Sequence, residues 1–100
     1  MKVKELKGYG IKRERIDNGY RVEPSYRYTY NGCFGKTDLE LVVDKVCSYG
    51  TRYYVVSIND EVMINFLGKM LRWESIEDLQ DDILRIFTGC FPNKYYTAIA

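Results

Sequence analysis

The strongest pattern of apolar and polar positions lies in residues 75–88. Apolar side chains recur there at steps of mostly three or four residues, as on one face of an α-helix: Ile76, Leu79, Ile83, Leu84 and Phe87. Ser75 is a favourable N-cap, and Gly89 stands where a C′ glycine is expected. Asp81 lies four residues before Arg85, a spacing that favours an ion pair. The pattern predicts an amphipathic helix against which the rest of the fold packs.

Residues 20–30 alternate with a period of two, which is typical of a β-strand with two different faces. One parity holds Tyr20, Val22, Tyr26, Tyr28 and Tyr30, and the other holds Arg21, Glu23, Ser25, Arg27 and Thr29. Pro24 cannot donate a ladder hydrogen bond, so the pattern predicts an edge strand or two short strands joined at a bend. Asp17-Asn18-Gly19 before it favours a hairpin turn that follows a polar stretch at 11–16.

Two further strands are predicted at residues 39–47 and 52–58. Residues 48–51 between them form a short loop, so an antiparallel hairpin is expected. Apolar side chains occupy both parities of 52–58, which favours a central strand covered on both faces.

The stretch 59–73 fits two structures. Apolar side chains at helical spacing favour a helix: Phe66, Met70 and Trp73. As a strand, the stretch would follow a tight turn at Asn59-Asp60 and pair with the preceding strand. The helix is the preferred prediction.

These elements predict one α+β domain spanning residues 1–100. We expect an antiparallel sheet of four or five strands, packed by one or two C-terminal helices, of which 75–88 is the surest. Residues 1–10 fit either a frayed strand or a short helix, and a short final strand is expected at 95–99.

Composition and charge narrow the class of protein. The 100 residues carry 46% apolar side chains and a net charge of +1, so no global field indicates nucleic acid or a membrane. The charge is unevenly placed: residues 1–27 hold eight basic and four acidic side chains, and residues 74–82 hold five acids and no base. With no apolar leader and no apolar run near the roughly 18–20 residues of a membrane span, a cytoplasmic protein that does not associate with membranes is expected.

Catalytic and metal-binding patterns are not found in the sequence. The chain has no histidine, which excludes Ser-His-Asp and Cys-His arrangements, and its glycines form no phosphate-binding loop. Cys33, Cys47 and Cys90 are widely spaced and are expected to be reduced, buried or half-buried thiols and not metal ligands. We therefore expect no cofactor, no metal and no enzymatic activity. A histidine-free ribonuclease-type toxin built from Tyr and Arg is the third-ranked hypothesis.

Protein binding is the leading functional hypothesis. The acidic side chains Glu77, Asp78, Asp81 and Asp82 could meet a basic partner or form a solvated helix face, and Trp73 could be an interface residue or a staple on the helix start. The order of strands followed by an acidic helix resembles that of some small phage-encoded inhibitors of bacterial defence nucleases. The resemblance rests on layout and on no residue motif. It implies an inhibitor directed at a host protein, and homo-oligomerisation is left open.

The second hypothesis is binding of single-stranded nucleic acid. Aromatic side chains on a sheet face with Arg nearby can stack bases, and the candidates are Tyr26, Tyr28, Tyr30, Arg21 and Arg27. The alternation places the tyrosines and arginines on opposite faces. If the tyrosine face packs on a helix, the tyrosines belong to the core.

Overall fold

A computed structural model describes residues 1–20, 22–33, 35–64 and 68–90. Its elements in chain order are α1 (Val3–Gly8), β1 (Ile11–Ile16), β2 (Ser25–Tyr30), β3 (Leu41–Ser48), β4 (Thr51–Ile58), β5 (Glu61–Val62) and α2 (Ile76–Thr88). The strands form one antiparallel sheet in the order β1-β2-β3-β4-β5. The predicted α+β class is confirmed, and α1 is the short helix allowed for residues 1–10. The strand expected at 95–99 lies outside the described residues.

Helix α2 has the predicted caps. The Ser75 hydroxyl accepts a hydrogen bond from the Glu77 backbone N–H at 3.2 Å, and Gly89 adopts a left-handed φ of 77°. The expected pairing of Asp81 with Arg85 is wrong. Arg85 instead contacts Asp82, three residues before it, at 3.0 Å. The Asp81 carboxylate lies 2.7 Å from the amino group of Met1, which competes successfully for it.

The core lies between one face of the sheet and the two helices. Strand register places Tyr28 opposite Leu41 and Leu41 opposite Ile58, so the three side chains share a face, and all are fully buried. Side chains from both helices complete the core: Leu6, Leu79, Ile83, Ile86 and Phe87. Burying these apolar side chains is the main stabilising contribution of the fold.

The β1–β2 hairpin differs from its prediction. Pairing ends at Ile16 opposite Ser25, so the described residues 17–20 and 22–24 lie outside the ladder and no tight turn joins the strands at Asn18. Pro24 directly precedes β2, where its missing N–H costs the ladder nothing. The expectation that this strand lies at an edge, or is divided in two, is wrong for the described residues, since β2 runs unbroken between β1 and β3.

The preferred helix at 59–73 is wrong. The chain turns at Asn59-Asp60 and forms β5 along β4, and Trp73 pairs with Tyr54 further along β4. Two backbone hydrogen bonds of 2.7 and 3.0 Å join Trp73 and Tyr54. An uncovered β4 would leave a row of unpaired backbone groups, and satisfying them outweighs the helical spacing of the side chains. Of the residues that suggested the helix, Phe66 lies outside the described ranges.

Candidate functional site

The tyrosines predicted to stack bases belong largely to the core. Tyr28 is fully buried, and its hydroxyl donates a hydrogen bond to Gln80 Oε1 at 2.9 Å. Tyr30 is 8% exposed and stacks on Phe87 with 5.6 Å between ring centroids. Only Tyr26 stays half-exposed on this face. Two of the three candidate rings therefore have no face open to a base.

Arg13 borders this tyrosine cluster from β1. Its guanidinium carbon lies 4.6 Å from the Tyr26 ring centroid, a cation–π distance. Burial raises the pKa of the Tyr28 hydroxyl to about 12, and the nearby Arg13 cation acts in the opposite direction. At neutral pH the Tyr28 hydroxyl is therefore a neutral hydrogen-bond donor inside the fold.

The predicted arginine partners do not join the tyrosines. Arg27 points to the opposite face of the sheet, where it contacts Glu40 at 2.9 Å and Glu14 at 3.5 Å. Arg21 lies outside the described residues. The described members of the predicted Tyr/Arg group therefore do not converge on one point.

The four acidic candidates of α2 divide into two pairs. Asp82 accepts a hydrogen bond from Trp73 Nε1 at 2.7 Å, and Asp81 holds the Met1 amino group. Trp73 is 8% exposed and is joined to α2 by this hydrogen bond. Glu77 and Asp78 are exposed, and their side chains form no hydrogen bond or ion pair within the described ranges. The Asp81 side chain is still 48% exposed, so the second pair differs from the first mainly in having no such internal contact.

The hairpin of β3 and β4 projects beyond its neighbours. The two strands pair to Ser48 opposite Thr51, whereas β2 pairs with β3 only as far as Val43. On the other side of β4, the last backbone partner is Trp73, opposite Tyr54. Five β3 residues extend past the β2 ladder, roughly 16 Å of strand. Side chains still cover part of this extension, since Lys45 contacts Glu23 at 3.8 Å and Arg72 lies over the Tyr53 ring. The exposed end of the hairpin, which we call the ribbon, is therefore residues 47–52.

The residue at the end of the ribbon is unusual for its position. Tyr49 and Gly50 form the turn, both with positive φ (50° and 79°), and Tyr49 has a relative exposure of 106%. Such two-residue turns favour Asn, Asp or Gly because bulky L-residues are strained in the left-handed region. Asn59 follows this rule in the β4–β5 turn (φ 48°), where its side-chain oxygen accepts a hydrogen bond from the Glu40 N–H at 2.8 Å. Tyr49 has strain without a packing contact.

A second group of exposed side chains lies at the same end of the sheet. The β1–β2 loop, described at residues 17–20 and 22–24, carries Tyr20, 88% exposed, and Val22, 56% exposed. Asn18 ties the base of this loop, donating to Ser25 Oγ at 2.7 Å, and Ser25 donates in turn to Asp44. We define the tip surface as the exposed side chains of these two loops: Tyr20, Val22, Tyr49 and Arg52. The sequence prediction missed Tyr49, although Tyr in place of Asn before Gly in a hairpin loop was a usable signal.

The three cysteines are exposed and form no disulfide: Cys33, Cys47 and Cys90. The expectation of buried or half-buried thiols is therefore wrong. Within the part of the chain that the structure describes, no group of three or more His, Cys, Asp or Glu side chains is placed to hold a metal ion.

No family model matches the chain, and no curated protein or solved structure is significantly similar to it. Among the described helices, none has the length and apolar character needed to span a bilayer. Function is therefore inferred from the geometry of this chain.

Proposed function

We propose that this protein is a non-enzymatic binding protein that docks on a protein partner through the tip surface and occludes part of that partner, as an inhibitor does. The observation that supports this most is Tyr49, a fully exposed aromatic ring held in a strained turn position. Local rules of folding are broken mainly where function requires it. A ring that costs stability and packs on nothing is best explained by a contact with another molecule.

The chemistry of the tip surface suits a protein interface. Tyrosine and arginine are enriched among residues that dominate binding energy, because they bury a large area with few rotatable bonds. Tyr49 and Arg52 sit on the projecting ribbon, which can enter a groove on a partner. Tyr20 and Val22 lie on a loop tethered at Asn18, so their backbone is partly ordered before binding.

The exposed acids of α2 add a charge preference. Glu77 and Asp78 lie in the first turn of α2. Trp73, just before this helix, pairs with Tyr54 of β4, the strand that begins at the tip surface. Exposed acids favour a partner with a basic surface and speed its approach. Nucleases carry basic surfaces for their nucleic-acid substrates, so inhibition of a host defence nuclease stays within this proposal.

Affinity capture with matched variants tests the proposal. The tagged protein and its Tyr49→Ala, Tyr20→Ala and Tyr9→Ala variants are used as bait in lysate of the source organism or its host. Tyr9 is 57% exposed but lies in the turn before β1, at the opposite end of the sheet, which makes it the matched control. We expect a partner retained by Tyr9→Ala and lost by the tip variants. With purified partner, Tyr49→Ala should weaken binding by about 2 kcal/mol or more, the size of a hot-spot residue.

Two results would contradict the proposal. One is a partner that binds the Tyr49→Ala and Tyr20→Ala variants as well as the unaltered protein. The other is an equal loss with Tyr9→Ala, which would indicate nonspecific aromatic adhesion. Charge reversal at Glu77 and Asp78 tests the acidic contribution separately. Asp82 is unsuitable for this purpose because its replacement also removes the hydrogen bond to Trp73.

A further inference from the structure

The outer side of β1 is an uncovered strand edge. The Asn31 N–H donates to Gly10 O at 2.8 Å in line with the β1–β2 register, so the backbone groups of Gly10 are directed towards β2. Because these directions alternate along an antiparallel ladder, the groups that point outward belong to three residues: Ile11, Arg13 and Arg15. Within the described ranges these outward N–H and C=O groups have no backbone partner. Such an edge is a template for another strand.

The opposite side of the sheet is covered by the chain itself. There β5 pairs with the end of β4, and Trp73 pairs with Tyr54 further along. Helix α1 does not cover β1 in this way, because Leu6 is buried in the core and the Met1 amino group binds Asp81 of α2. These contacts hold α1 against the core face. With six residues, β1 therefore offers a second strand more backbone than the two-residue β5.

The charges of β1 restrict which strand can pair with it. Lys12 and Glu14 lie on the sheet face away from the helices, opposite Thr29 and Arg27 of β2. Lys12 is exposed and forms no ion pair within the described part of the chain. The Glu14 side chain is 61% exposed and shares Arg27 with Glu40. Charged side chains protect many edges from pairing, but a base and an acid two positions apart complement the same two residues on an antiparallel strand.

We propose that β1 pairs with β1 of a second copy of this chain, antiparallel, about a two-fold axis beside Arg13. Each Arg13 then lies opposite its counterpart, and Ile11 of one copy lies opposite Arg15 of the other. The outward backbone groups of these residues form about six hydrogen bonds. Lys12 of each copy lies opposite Glu14 of the other in a non-hydrogen-bonded pair, where side chains approach most closely. The two five-stranded sheets become one continuous sheet.

The charges favour this register over its neighbours. An axis at Lys12 would place two lysines opposite each other, and an axis at Glu14 would do the same with two glutamates. In the favoured register the like-charged pair is Arg13 with its counterpart. Its guanidinium carbon lies 4.6 Å from the Tyr26 ring centroid, and Tyr26 belongs to β2, so this contact draws the charge away from the axis.

Charge exchange tests the cross-strand pairs. Sedimentation equilibrium from about 10 μM to about 1 mM measures the dissociation constant of the dimer. Lys12→Glu and Glu14→Lys should each weaken the dimer about tenfold or more, because each change turns two attractive pairs into two repulsive ones. An equal mixture of the two variants should form a mixed dimer tighter than that of either variant alone, since every contact between positions 12 and 14 then joins a base to an acid. Combining both changes in one chain should restore the dimer.

A second set of variants tests the backbone contact. Arg13→Pro removes the outward N–H at the centre of the contact, at an edge position where proline is compatible with a strand. Arg13→Ala removes the same side chain but keeps the N–H. We expect Arg13→Ala to dimerise at least as well as the unaltered protein, because the like-charged pair is gone, and Arg13→Pro to remain monomeric. The matched charge control is Lys69→Glu, an exposed lysine beyond the opposite edge of the sheet, which should leave the dimer unchanged.

Four results would overturn the proposal: a monomer only at about 1 mM, a dimer that tolerates both Arg13→Pro and Lys12→Glu, an equal loss with Lys69→Glu, or no gain on mixing the two charge variants. The contact uses no residue of the tip surface, so it stands or fails separately from partner binding. Tyr49→Ala should accordingly dimerise like the unaltered protein. Circular dichroism of each variant confirms that the fold is retained before dissociation constants are compared.

Discussion

The tyrosines under α2 and the tyrosines of the tip surface use the same side chain in opposite ways. Tyr28 and Tyr30 are buried, with the Tyr28 hydroxyl on Gln80 and the Tyr30 ring stacked. Tyr20 and Tyr49 are 88% and 106% exposed. The first pair is explained by stability, because each ring fills space that no smaller side chain would fill. The second pair fills no such space, and Tyr49 is also strained, which is the basis for assigning the tip surface to binding.

The backbone shows the same contrast. Tyr28 lies in a regular strand, where aromatic residues are favoured, whereas Tyr49 has a φ of 50°. A tyrosine that suits its local structure and its packing needs no further explanation. One that suits neither indicates selection for another property. Four measurements test this contrast, beginning with the largest expected effect.

Tyr28→Ala should destabilise the fold by about 3–5 kcal/mol, because it empties a fully buried site and leaves Gln80 without its hydrogen-bond donor. Tyr49→Ala should change the free energy of unfolding by no more than about 0.5 kcal/mol. Urea denaturation of both variants measures the contrast. Similar losses in the two variants would mean that the tip ring is part of the folded core, and the binding assignment would fail.

Stability should fall above pH 10 through Tyr28. Burial raises the pKa of its hydroxyl to about 12, whereas an unfolded tyrosine has a pKa near 10. The folded state holds this proton more tightly, so the contribution is complete below pH 10 and is lost as pH rises towards 12. The loss is about 2–3 kcal/mol.

The variant Tyr28→Phe isolates this effect, because all other tyrosines are common to both proteins. Unfolding free energies are measured between pH 9 and pH 12 under otherwise equal conditions. The unaltered protein should lose stability more steeply than the variant across this range. Parallel curves would show that the hydroxyl proton of Tyr28 is not held by burial.

The acidic side chains of α2 show the same contrast between a group engaged inside the fold and an exposed one. Asp82→Ala should cost about 1–3 kcal/mol, because the Trp73 indole N–H loses its acceptor in a partly buried place. Asp78→Ala should cost only about 0.3–1 kcal/mol, through its favourable position at the helix N-terminus. Each variant removes one negative charge from the same helix. A difference between the thermal unfolding of the two variants therefore reports the internal contacts of Asp82 and not the loss of charge. Equal losses would remove the distinction between the engaged and the exposed acids.

Helix α2 could be predicted from the sequence because its signals are local. The Ser75 cap, the apolar stripe and Gly89 all lie within the helix or beside it, and the structure reproduces them. The two-faced pattern of residues 26–30 was equally readable. Which face α2 covers was not, because that depends on residues fifty positions away, such as Gln80 opposite Tyr28.

The stretch 59–73 was predicted wrongly because its structure also depends on contacts with residues outside it. Its side-chain spacing suits a helix, but the backbone of β4 needs hydrogen-bond partners along its edge, and Met63 and Trp73 provide them. The Tyr49 turn was local and therefore within reach of prediction. Its signal was a residue type that did not suit the loop around it.

The smallest expected effect is the most specific test of the contrast. Tyr49→Asn places the residue favoured in a left-handed turn position, so it should stabilise the fold by about 0.5–1 kcal/mol. The reverse change in the other turn, Asn59→Tyr, should destabilise it, because the Glu40 N–H also loses its acceptor. Urea midpoints with unchanged m-values measure both. If Tyr49→Asn is less stable than the unaltered protein, the ring contributes to folding after all. If it is more stable and no longer retains the partner, the chain gives up stability at this turn for the contact that Tyr49 makes.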